Sequence, residues 1–374
     1  MEQESFLKYA DQRDVVFVLG AGASHPDGVP LQNDLIPMLL SGKIKELQDS
    51  FIGKEVIDFI KENFHYKSSS ANFPRLEAVF GFLDYFIQHD ESLNTKYTTS
   101  KLIEIKEYLI KIIHYLVDLR TDKRSPYYHL FWEIIFNNNS NVSVLTMNYD
   151  TLLEQAFEDF YQQKGYIDYR IHFMNYEPYA RGVHKLTKWI NATDPVIVTG
   201  NNIPVPIKII KIHGSLNWKY CNCCNQVLIT PWDRKIDLNK GKFLGYTYPD
   251  NERYEYKCPL DNTEFNTLIV PPTYLKTLVH PIISQLLREA SREIRSTKRI
   301  VFLGYSLSNS DIHIKALFKK HIQKGTDIIV INPIFRKSQL NNYKALSDNV
   351  KFIEIGFEEF LKDEDLIKSL LTIS

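Results

Sequence analysis

The sequence predicts an α/β fold with an open parallel sheet, and three observations lead to this prediction. Short apolar runs recur along the 374 residues. Most of them are followed by a segment with helical periodicity. Glycine-containing or polar loops come directly after the apolar runs. Strand followed by helix, repeated, is typical of parallel sheets joined by right-handed crossovers.

The first predicted strand covers residues 15–19, an unbroken apolar run as expected for a parallel strand covered on both faces. Five later segments show the same pattern. They span residues 142–146, 207–212, 299–303, 327–331 and 351–355.

The clearest helical pattern follows the second strand and predicts a helix over residues 151–164. Thr151 and Glu154 have the spacing of a capping box, and Gly165 follows the last periodic residue.

Two stretches depart from the strand–helix alternation. Residues 41–140 show helical periodicity without a strong strand signal, which predicts a helical insertion between the first two strands. Residues 219–265 hold the cysteines with many aromatic and turn residues, which predicts a small irregular module. We expect one domain over residues 1–374 that contains both stretches.

Composition excludes several classes of protein. Lys plus Arg and Asp plus Glu are both 45, and this balance disfavours direct nucleic-acid binding. No apolar run approaches the ~20 residues of a membrane helix. The acidic, polar start lacks the apolar centre of a secretory signal. Three of the four cysteines are clustered, unlike a secreted disulfide framework. We therefore expect a cytoplasmic protein without membrane contact.

A glycine-containing loop follows the first strand, where ligands bind in open parallel sheets. Gly20, Ala21 and Gly22 would let backbone amides approach phosphate oxygens, and the next helix would favour an anion. Ser24 would add a hydroxyl. A tight strand–helix turn without a ligand would use the same residues.

Polar residues follow the other strands. Asn148 offers a carboxamide to a ribose hydroxyl or a water. Asp150 offers a carboxylate acceptor to the amide of nicotinamide. Capping of a helix is the alternative for both. His213 can take a proton near pH 7, although a structural histidine is the alternative. The remaining candidates suit the adenosine half of a dinucleotide or a turn: Gly304, Ser306 and Asn332.

Together these motifs resemble the sirtuin family and its NAD-hydrolysing relatives. The matching stretches are GAGAS…GVP at 20–30, TMNYD at 146–150, HGS at 213–215, GYS at 304–306 and VIN at 330–332. The resemblance covers the core from about residue 14 to 356. It implies a Rossmann-like parallel sheet with a sirtuin-like core.

The resemblance also implies roles for the site residues. The Gly-Ala-Gly loop of such proteins holds the pyrophosphate, the Asn positions the nicotinamide ribose and the attacking water, and the Asp contacts the nicotinamide amide. The His is the general base. The implied residues are therefore Asn148, Asp150 and His213 for catalysis, and Gly20, Ala21, Gly22, Ser24, Gly304, Ser306 and Asn332 for the dinucleotide.

Three departures separate the chain from the protein deacylases it resembles. Residues 31–34 stand where deacylases have Asp-Phe-Arg, and Met147 stands where they have Gln. Residues 269–273 replace the Phe-Gly-Glu strand that pairs with an acyl-lysine peptide. This stretch contains two prolines, which lack the N–H that a pairing strand must offer. Water is therefore the favoured acceptor.

The pattern looks closer to bacterial sirtuin-like NADases of anti-phage defence. This implies an NAD glycohydrolase that releases nicotinamide and ADP-ribose as a regulated effector of abortive infection. The length matches the shorter type, encoded beside a partner such as a HerA-type ATPase. A homo-oligomer is expected, with residues 41–140 as the contact region or, alternatively, as packing over the sheet.

Two other functions stay open at this point. One is an NAD-dependent protein deacylase or ADP-ribosyltransferase. The other is a sensor that binds NAD or ADP-ribose without turnover.

The cysteines resemble a reduced form of the sirtuin zinc ribbon, which has two C-x-x-C pairs. Cys221 and Cys224 form one pair, and Cys258 with Asp261 stands in place of the second. Four zinc ligands exist if Cys223 or Asp261 serves. The alternative is a degenerate ribbon that kept some thiols.

Overall fold

The computed structural model of the protein describes residues 4–66, 72–121, 123–174, 190, 196–199, 204–230, 235–246, 253–255, 257–274 and 280–373. Its strands are β1 (Glu4–Phe6), β2 (Arg13–Leu19), β3 (Val142–Thr146), β4 (Gly165–Asp168), β5 (Ile197–Thr199), β6 (Val205–Lys211), β7 (Gly214–Tyr220), β8 (Val227–Ile229), β9 (Lys235–Asp237), β10 (Lys242–Tyr246), β11 (Arg253–Glu255), β12 (Asn266–Ile269), β13 (Thr297–Leu303), β14 (Asp327–Ile331) and β15 (Val350–Ile353).

The helices cover both faces of the sheet and connect its strands. They are α1 (Ala21–Ser24), α2 (Gln32–Leu40), α3 (Lys45–Asp49), α4 (Phe51–Asn63), α5 (Leu76–Gln88), α6 (Thr99–Asp118), α7 (Pro126–Asn138), α8 (Leu152–Ala156), α9 (Pro281–Ser296), α10 (Ile312–His321), α11 (Lys337–Lys344), α12 (Phe357–Lys362) and α13 (Glu364–Leu371). Short 3-10 helices, His25–Asp27 and Phe157–Phe160, continue α1 and α8.

A seven-stranded parallel sheet carries the fold, in the order β15-β14-β13-β2-β3-β6-β4. Strand β2 lies near its centre, and its residues from Val15 to Leu19 are almost completely buried. Burial on both faces explains why the strand reads as a continuous apolar run. All six predicted strands are present, and the predicted α/β fold with a Rossmann-like parallel sheet is confirmed.

The edge strand β4 was not predicted, and the helix predicted over 151–164 is present but shorter than expected. Helix α8 ends at Ala156, and the chain turns into β4 at Gly165. A Cβ at Gly165 would lie 2.6 Å from the Val205 carbonyl oxygen, so glycine permits the contact between β4 and β6. The predicted capping box is not formed, because the Glu154 carboxylate forms a buried ion pair with Lys211 instead.

The described part of residues 41–140 is helical and consists of α3 to α7. Helix α6 buries Leu102, Ile105, Leu109 and Leu116 in the same hydrophobic core as the sheet. Residues 67–71 and 122 lie outside the described residues. Among the described helices, none combines the length and apolar character needed to cross a bilayer.

The described part of residues 219–265 is more regular than the sequence predicts. Strands β12, β7 and β8 form one antiparallel sheet, and β11, β10 and β9 form another. A small separate core lies here, formed by Met174, Cys221, Leu228, Phe243, Cys258 and Phe265. Residues 231–234, 247–252 and 256 of the module lie outside the described residues.

Candidate active site

A cavity of about 730 Å³ opens at the carboxyl ends of the central strands. Loops that follow β2, β3, β13 and β14 form its floor, and residues from α2 and α5 form another wall. Eight of the predicted site residues line it: Ala21, Gly22, Asn148, Asp150, His213, Gly304, Ser306 and Asn332. Gly20 and Ser24 do not line this cavity.

The glycines of the first loop pack against the backbone of the loop after β13. A Cβ on Gly20 would lie 2.5 Å from Tyr305 Cα, and one on Gly22 would lie 2.8 Å from Gly304 Cα. Gly304 itself has φ +62, a conformation that favours glycine. The amides of Gly20 and Gly22 donate to the carbonyls of Leu303 and Gly304 at 3.0 and 2.9 Å. These two amides thus have partners within the protein, which differs from their expected role as phosphate donors.

The Asn148 side chain is held by the loop that follows β2. Its Nδ2 donates to the Gly20 carbonyl and to Ser24 Oγ, both at 3.0 Å. With both amide hydrogens used, Oδ1 is the atom that this carboxamide offers as an acceptor. Ser24 is fully buried and also contacts the Tyr128 hydroxyl at 2.9 Å. The prediction that Ser24 faces the ligand is therefore corrected: it orients Asn148.

Asp150 lies at the cavity wall and at the start of a helix. Its Oδ1 accepts from the Leu152 amide at 3.2 Å, so the capping alternative is realised. Lys211 Nζ donates to the Asp150 carbonyl at 2.5 Å and to Glu154 Oε1 at 2.8 Å. Burial raises the pKa of Glu154, and the Lys211 ammonium opposes that shift. This buried ion pair ties the loop after β3 to β6.

His213 follows β6 and meets two residues that the sequence analysis missed. Its Nε2 lies 3.0 Å from Nε2 of His313 and 3.9 Å from Oδ1 of Asp311. The Tyr305 hydroxyl donates to the other Asp311 oxygen, Oδ2, at 2.9 Å. Asp311 and His313 stand where α10 begins, after β13. The strand-end argument that selected Gly304 would also have pointed to them.

The loop after β13 is braced from the neighbouring strand. Asn332 Nδ2 donates to the Tyr305 carbonyl at 3.0 Å, and the Tyr343 hydroxyl donates to the same oxygen at 2.6 Å. Two cationic residues missed by the sequence analysis also line the cavity, Arg75 and Arg336. They bring positive charge to a site where the described carboxylates are Glu77, Asp150 and Asp311.

Comparison with models of known protein families identifies the family of this chain. The model of the SIR2-like domain family matches residues 142–344, more than half of the chain. The chain belongs to the SIR2-like family. The resemblance to sirtuins inferred from the motifs is confirmed at this level.

Solved structures of similar fold include Sir2 homologues. One, in complex with NAD, is 15% identical over 96% of this chain and 91% of its own, with a TM-score of 0.47. A mutant Sir2 homologue in complex with ADP-ribose is 14% identical over 97% of this chain and 96% of its own, with a TM-score of 0.44. No curated protein sequence matches the chain.

The SIR2-like protein carries a cluster of metal-ligating side chains in its small module. One ligand atom each from Cys221, Cys224, Cys258 and Asp261 lies within 4.8 Å of all the others. The Cys224 and Cys258 sulfurs are 3.7 Å apart, close to the ~3.8 Å between thiolates bound tetrahedrally to zinc at ≈ 2.3 Å. Cys223 is exposed and lies outside this cluster, so Asp261 is the fourth ligand that the geometry favours.

Protonation of the cluster follows from its surroundings. Burial raises the pKa of the Cys258 thiol to about 12. Hydrogen bonds from Thr263 hold the pKa of Asp261 well below its ordinary value. Three thiols and an ionised carboxylate within reach of one another suit a bound cation, which would take the place of the thiol protons.

The backbone of the segment that follows β12 is bonded to the rest of the SIR2-like protein. Strand β12 ends at Ile269, and the next residue, Val270, donates its amide to the His213 carbonyl at 2.9 Å. The Val270 carbonyl accepts from the Tyr149 hydroxyl at 2.7 Å. Both backbone polar groups of Val270 are therefore used within the protein, and two prolines follow.

Proposed function

We propose that this SIR2-like protein is an NAD glycohydrolase that cleaves the N-glycosidic bond of NAD and releases nicotinamide and ADP-ribose. The observation that carries the proposal is the joint position of Asn148 and His213. Both line one cavity at the carboxyl edge of the sheet, with the Asn148 amide held so that its oxygen is the available acceptor. A carboxamide acceptor and an imidazole suit the activation of a water beside a ribose.

The remaining cavity residues would bind the dinucleotide. Ala21, Gly22 and Gly304 would form the floor beneath it, and Arg75 and Arg336 would balance the pyrophosphate charge. Asp150 would accept from the nicotinamide amide. The adenosine half would lie near Ser306 and Asn332.

Nicotinamide is a good leaving group, so the reaction does not need a strong nucleophile. A water whose proton is taken by a base is sufficient. His213 would take the proton of the attacking water or of a ribose hydroxyl, and Asn148 would hold that water. A positioned general base contributes ~10²–10⁴-fold in rate. Water is the proposed acceptor, since the bonded backbone of Val270 and the prolines after it offer a peptide little to pair with.

We further propose that the cysteine cluster holds a structural zinc. Cys221, Cys224, Cys258 and Asp261 would be its ligands. The ion would fix the turn after β7 to the segment before β12 and so stabilise the module.

The regulated role in anti-phage defence is also part of the proposal, with a HerA-type ATPase as the partner and a cytoplasmic homo-oligomer as the form. It rests on the motifs that the sequence shares with such NADases. The contact region would be the helical insertion, whose exposed apolar side chains include Phe51, Tyr85 and Ile103.

The test is mass spectrometry of NAD and its products after incubation with the purified protein, with and without the neighbouring partner. We expect equimolar nicotinamide and ADP-ribose. O-acetyl-ADP-ribose formed with an acetylated peptide would instead support a deacylase. Calorimetric NAD binding without nicotinamide release under either condition would support a sensor.

A further inference from the structure

Glu77 is a carboxylate of the cavity wall that the described residues leave unpaired. It lines the cavity from the first turn of α5 and is only 8% exposed. Its Oε2 is buried and has no hydrogen-bond partner among the described residues, and no ion pair of Glu77 occurs among them either. A buried ionised group costs free energy unless it is paired, so Glu77 lacks the compensation that buried charges normally have.

The other two cavity carboxylates differ from Glu77 in this respect. Asp150 accepts from a backbone amide at 3.2 Å, and Asp311 accepts from the Tyr305 hydroxyl at 2.9 Å. Arg75 lies two positions before Glu77 but is exposed, and the described part of the chain shows no ion pair between them. A ligand in the cavity can therefore supply the positive charge that the protein does not.

The face of α5 that carries Glu77 meets the segment that follows β12. Gly81 and Asp84, one and two turns further along the helix, lie on the same face. Asp84 accepts from the Thr273 hydroxyl at 2.7 Å, and a Cβ on Gly81 would lie 3.9 Å from the Tyr274 ring. Residues 273–274 therefore run alongside this face of the helix.

The same segment leads back to the proposed reacting centre. At its start, the Val270 amide donates to the His213 carbonyl at 2.9 Å. The candidates for the adenosine half follow β13 and β14, which lie on the other side of β2 from β3 and β6. These contacts place Glu77 toward the nicotinamide half of a bound dinucleotide.

The nicotinamide ring of NAD carries one positive charge, whereas the reduced ring and free nicotinamide are neutral. A carboxylate attracts such a charge strongly where water is excluded. We propose that Glu77 is a specificity residue for the charged ring, so that the cavity prefers the oxidised over the reduced dinucleotide; this rests on the proposed use of NAD. When the C1′–N bond breaks, its electron pair goes to the ring nitrogen. The ring becomes neutral and its attraction to Glu77 ends, which favours release of nicotinamide.

A role in stabilising α5 is the alternative for Glu77, because an acidic residue in the first turn of a helix interacts favourably with the helix dipole. Glu77→Gln separates the two roles, since it keeps the shape of the side chain and removes its charge. A purely structural carboxylate predicts a lower melting temperature and equal effects on oxidised and reduced ligands. A carboxylate that waits for a cationic ligand predicts an unchanged or higher melting temperature of the free protein, because an unpaired buried charge is removed.

The test is calorimetry with a hydrolysis-resistant NAD analogue, in which a methylene group replaces the ring oxygen of the nicotinamide ribose, and with its reduced form. The parent should bind the oxidised analogue more tightly. We expect Glu77→Gln to lower this preference, the ratio of the two Kd values, by about 10-fold. Glu77→Asp keeps the charge and should retain part of the preference. Glu91→Gln, an exposed carboxylate beyond the end of α5 and outside the cavity, is the matched control and should leave the ratio unchanged.

Binding of the analogues separates this proposal from the proposed function. If the parent releases no nicotinamide from NAD, the hydrolase proposal fails while the ratio of Kd values still decides the role of Glu77. A ratio in Glu77→Gln within twofold of the parent would overturn the proposal, as would weaker binding of both forms to the same extent. Failure of the parent to bind either form would overturn it as well.

Discussion

The amide nitrogen of Asn148 donates to the hydroxyl of Ser24 at 3.0 Å, across 124 positions of sequence. This bond, with a second one to the Gly20 carbonyl, determines which end of the carboxamide is offered to the cavity. The glycine loop therefore acts on the candidate site in two ways: it forms the floor and it orients Asn148.

Removal of either proposed catalytic side chain should stop turnover without unfolding the protein. We expect Asn148→Ala and His213→Ala each to abolish most nicotinamide release, because one loses the water acceptor and the other the base. Thermal melting should stay close to that of the parent. A variant with parent-like melting and full activity would remove that residue from the mechanism.

Ser24→Ala should weaken catalysis through Asn148. The Asn148 amide loses one acceptor and its oxygen is less well oriented, so we expect kcat to fall about 10-fold at a stability cost of ~1 kcal/mol. Ser41→Ala, an exposed hydroxyl, is the control. Parent-like kcat in Ser24→Ala would show that the orientation of Asn148 does not depend on this bond.

Gly22→Ala should separate the two cavity loops. The new Cβ would lie 2.8 Å from Gly304 Cα, where backbone must move to make room. We expect a lower melting temperature together with loss of NAD binding by calorimetry. Gly356→Ala is the matched control, since its Cβ would meet nothing closer than 3.9 Å. Equal effects of the two substitutions would contradict the proposed loop contact.

Glu293 should make stability depend on pH in the acid range. Burial alone would raise its pKa, but Lys208, Ser143 and Arg13 outweigh that effect and hold the pKa of Glu293 below its ordinary value. Ionised Glu293 therefore contributes fully to the free energy of unfolding when the pH is above the ordinary pKa of the group. This contribution is lost as the pH falls through the lower pKa of the folded state.

The substitution Glu293→Gln measures this contribution. We expect urea unfolding at pH 7 to show a loss of about 3–5 kcal/mol, because the buried Arg13 loses a charged partner. The difference from the parent should shrink as the pH falls below the ordinary pKa of a glutamate side chain. Exposed Glu364, paired with Lys368, serves as the control through Glu364→Gln. A pH-independent difference would contradict the assignment.

Metal analysis should separate the two candidate fourth ligands of the cysteine cluster. We expect about one zinc per chain in the parent and in Cys223→Ser, and much less in Cys258→Ser and Asp261→Asn. Zinc retained by Asp261→Asn but lost by Cys223→Ser would reverse the choice of ligand. Absence of zinc from the parent would favour a degenerate ribbon.

The central strands were predictable from sequence because their burial is visible locally. Residues 15–19 are apolar without interruption since neighbouring strands and helices cover both faces. The positions of Asn148, His213 and Asn332 at strand ends were likewise predictable, because the carboxyl ends of parallel strands share one edge of the sheet.

Residues 151–168 show where local pattern failed. Apolar spacing favoured one long helix, but contact between β4 and β6 and the ion pair between Glu154 and Lys211 favour a short helix and an edge strand. The periodicity of a short segment carries no information about a partner strand that lies ~40 residues away.

The sequence by itself determined the sheet, the loops that follow its strands and the family to which they belong. Only the tertiary structure decided that Ser24 faces Asn148, that the glycines pack on each other and that His213 meets His313. The reason is physical: burial leaves a periodic trace along the chain, whereas a hydrogen bond between side chains 100 residues apart leaves none.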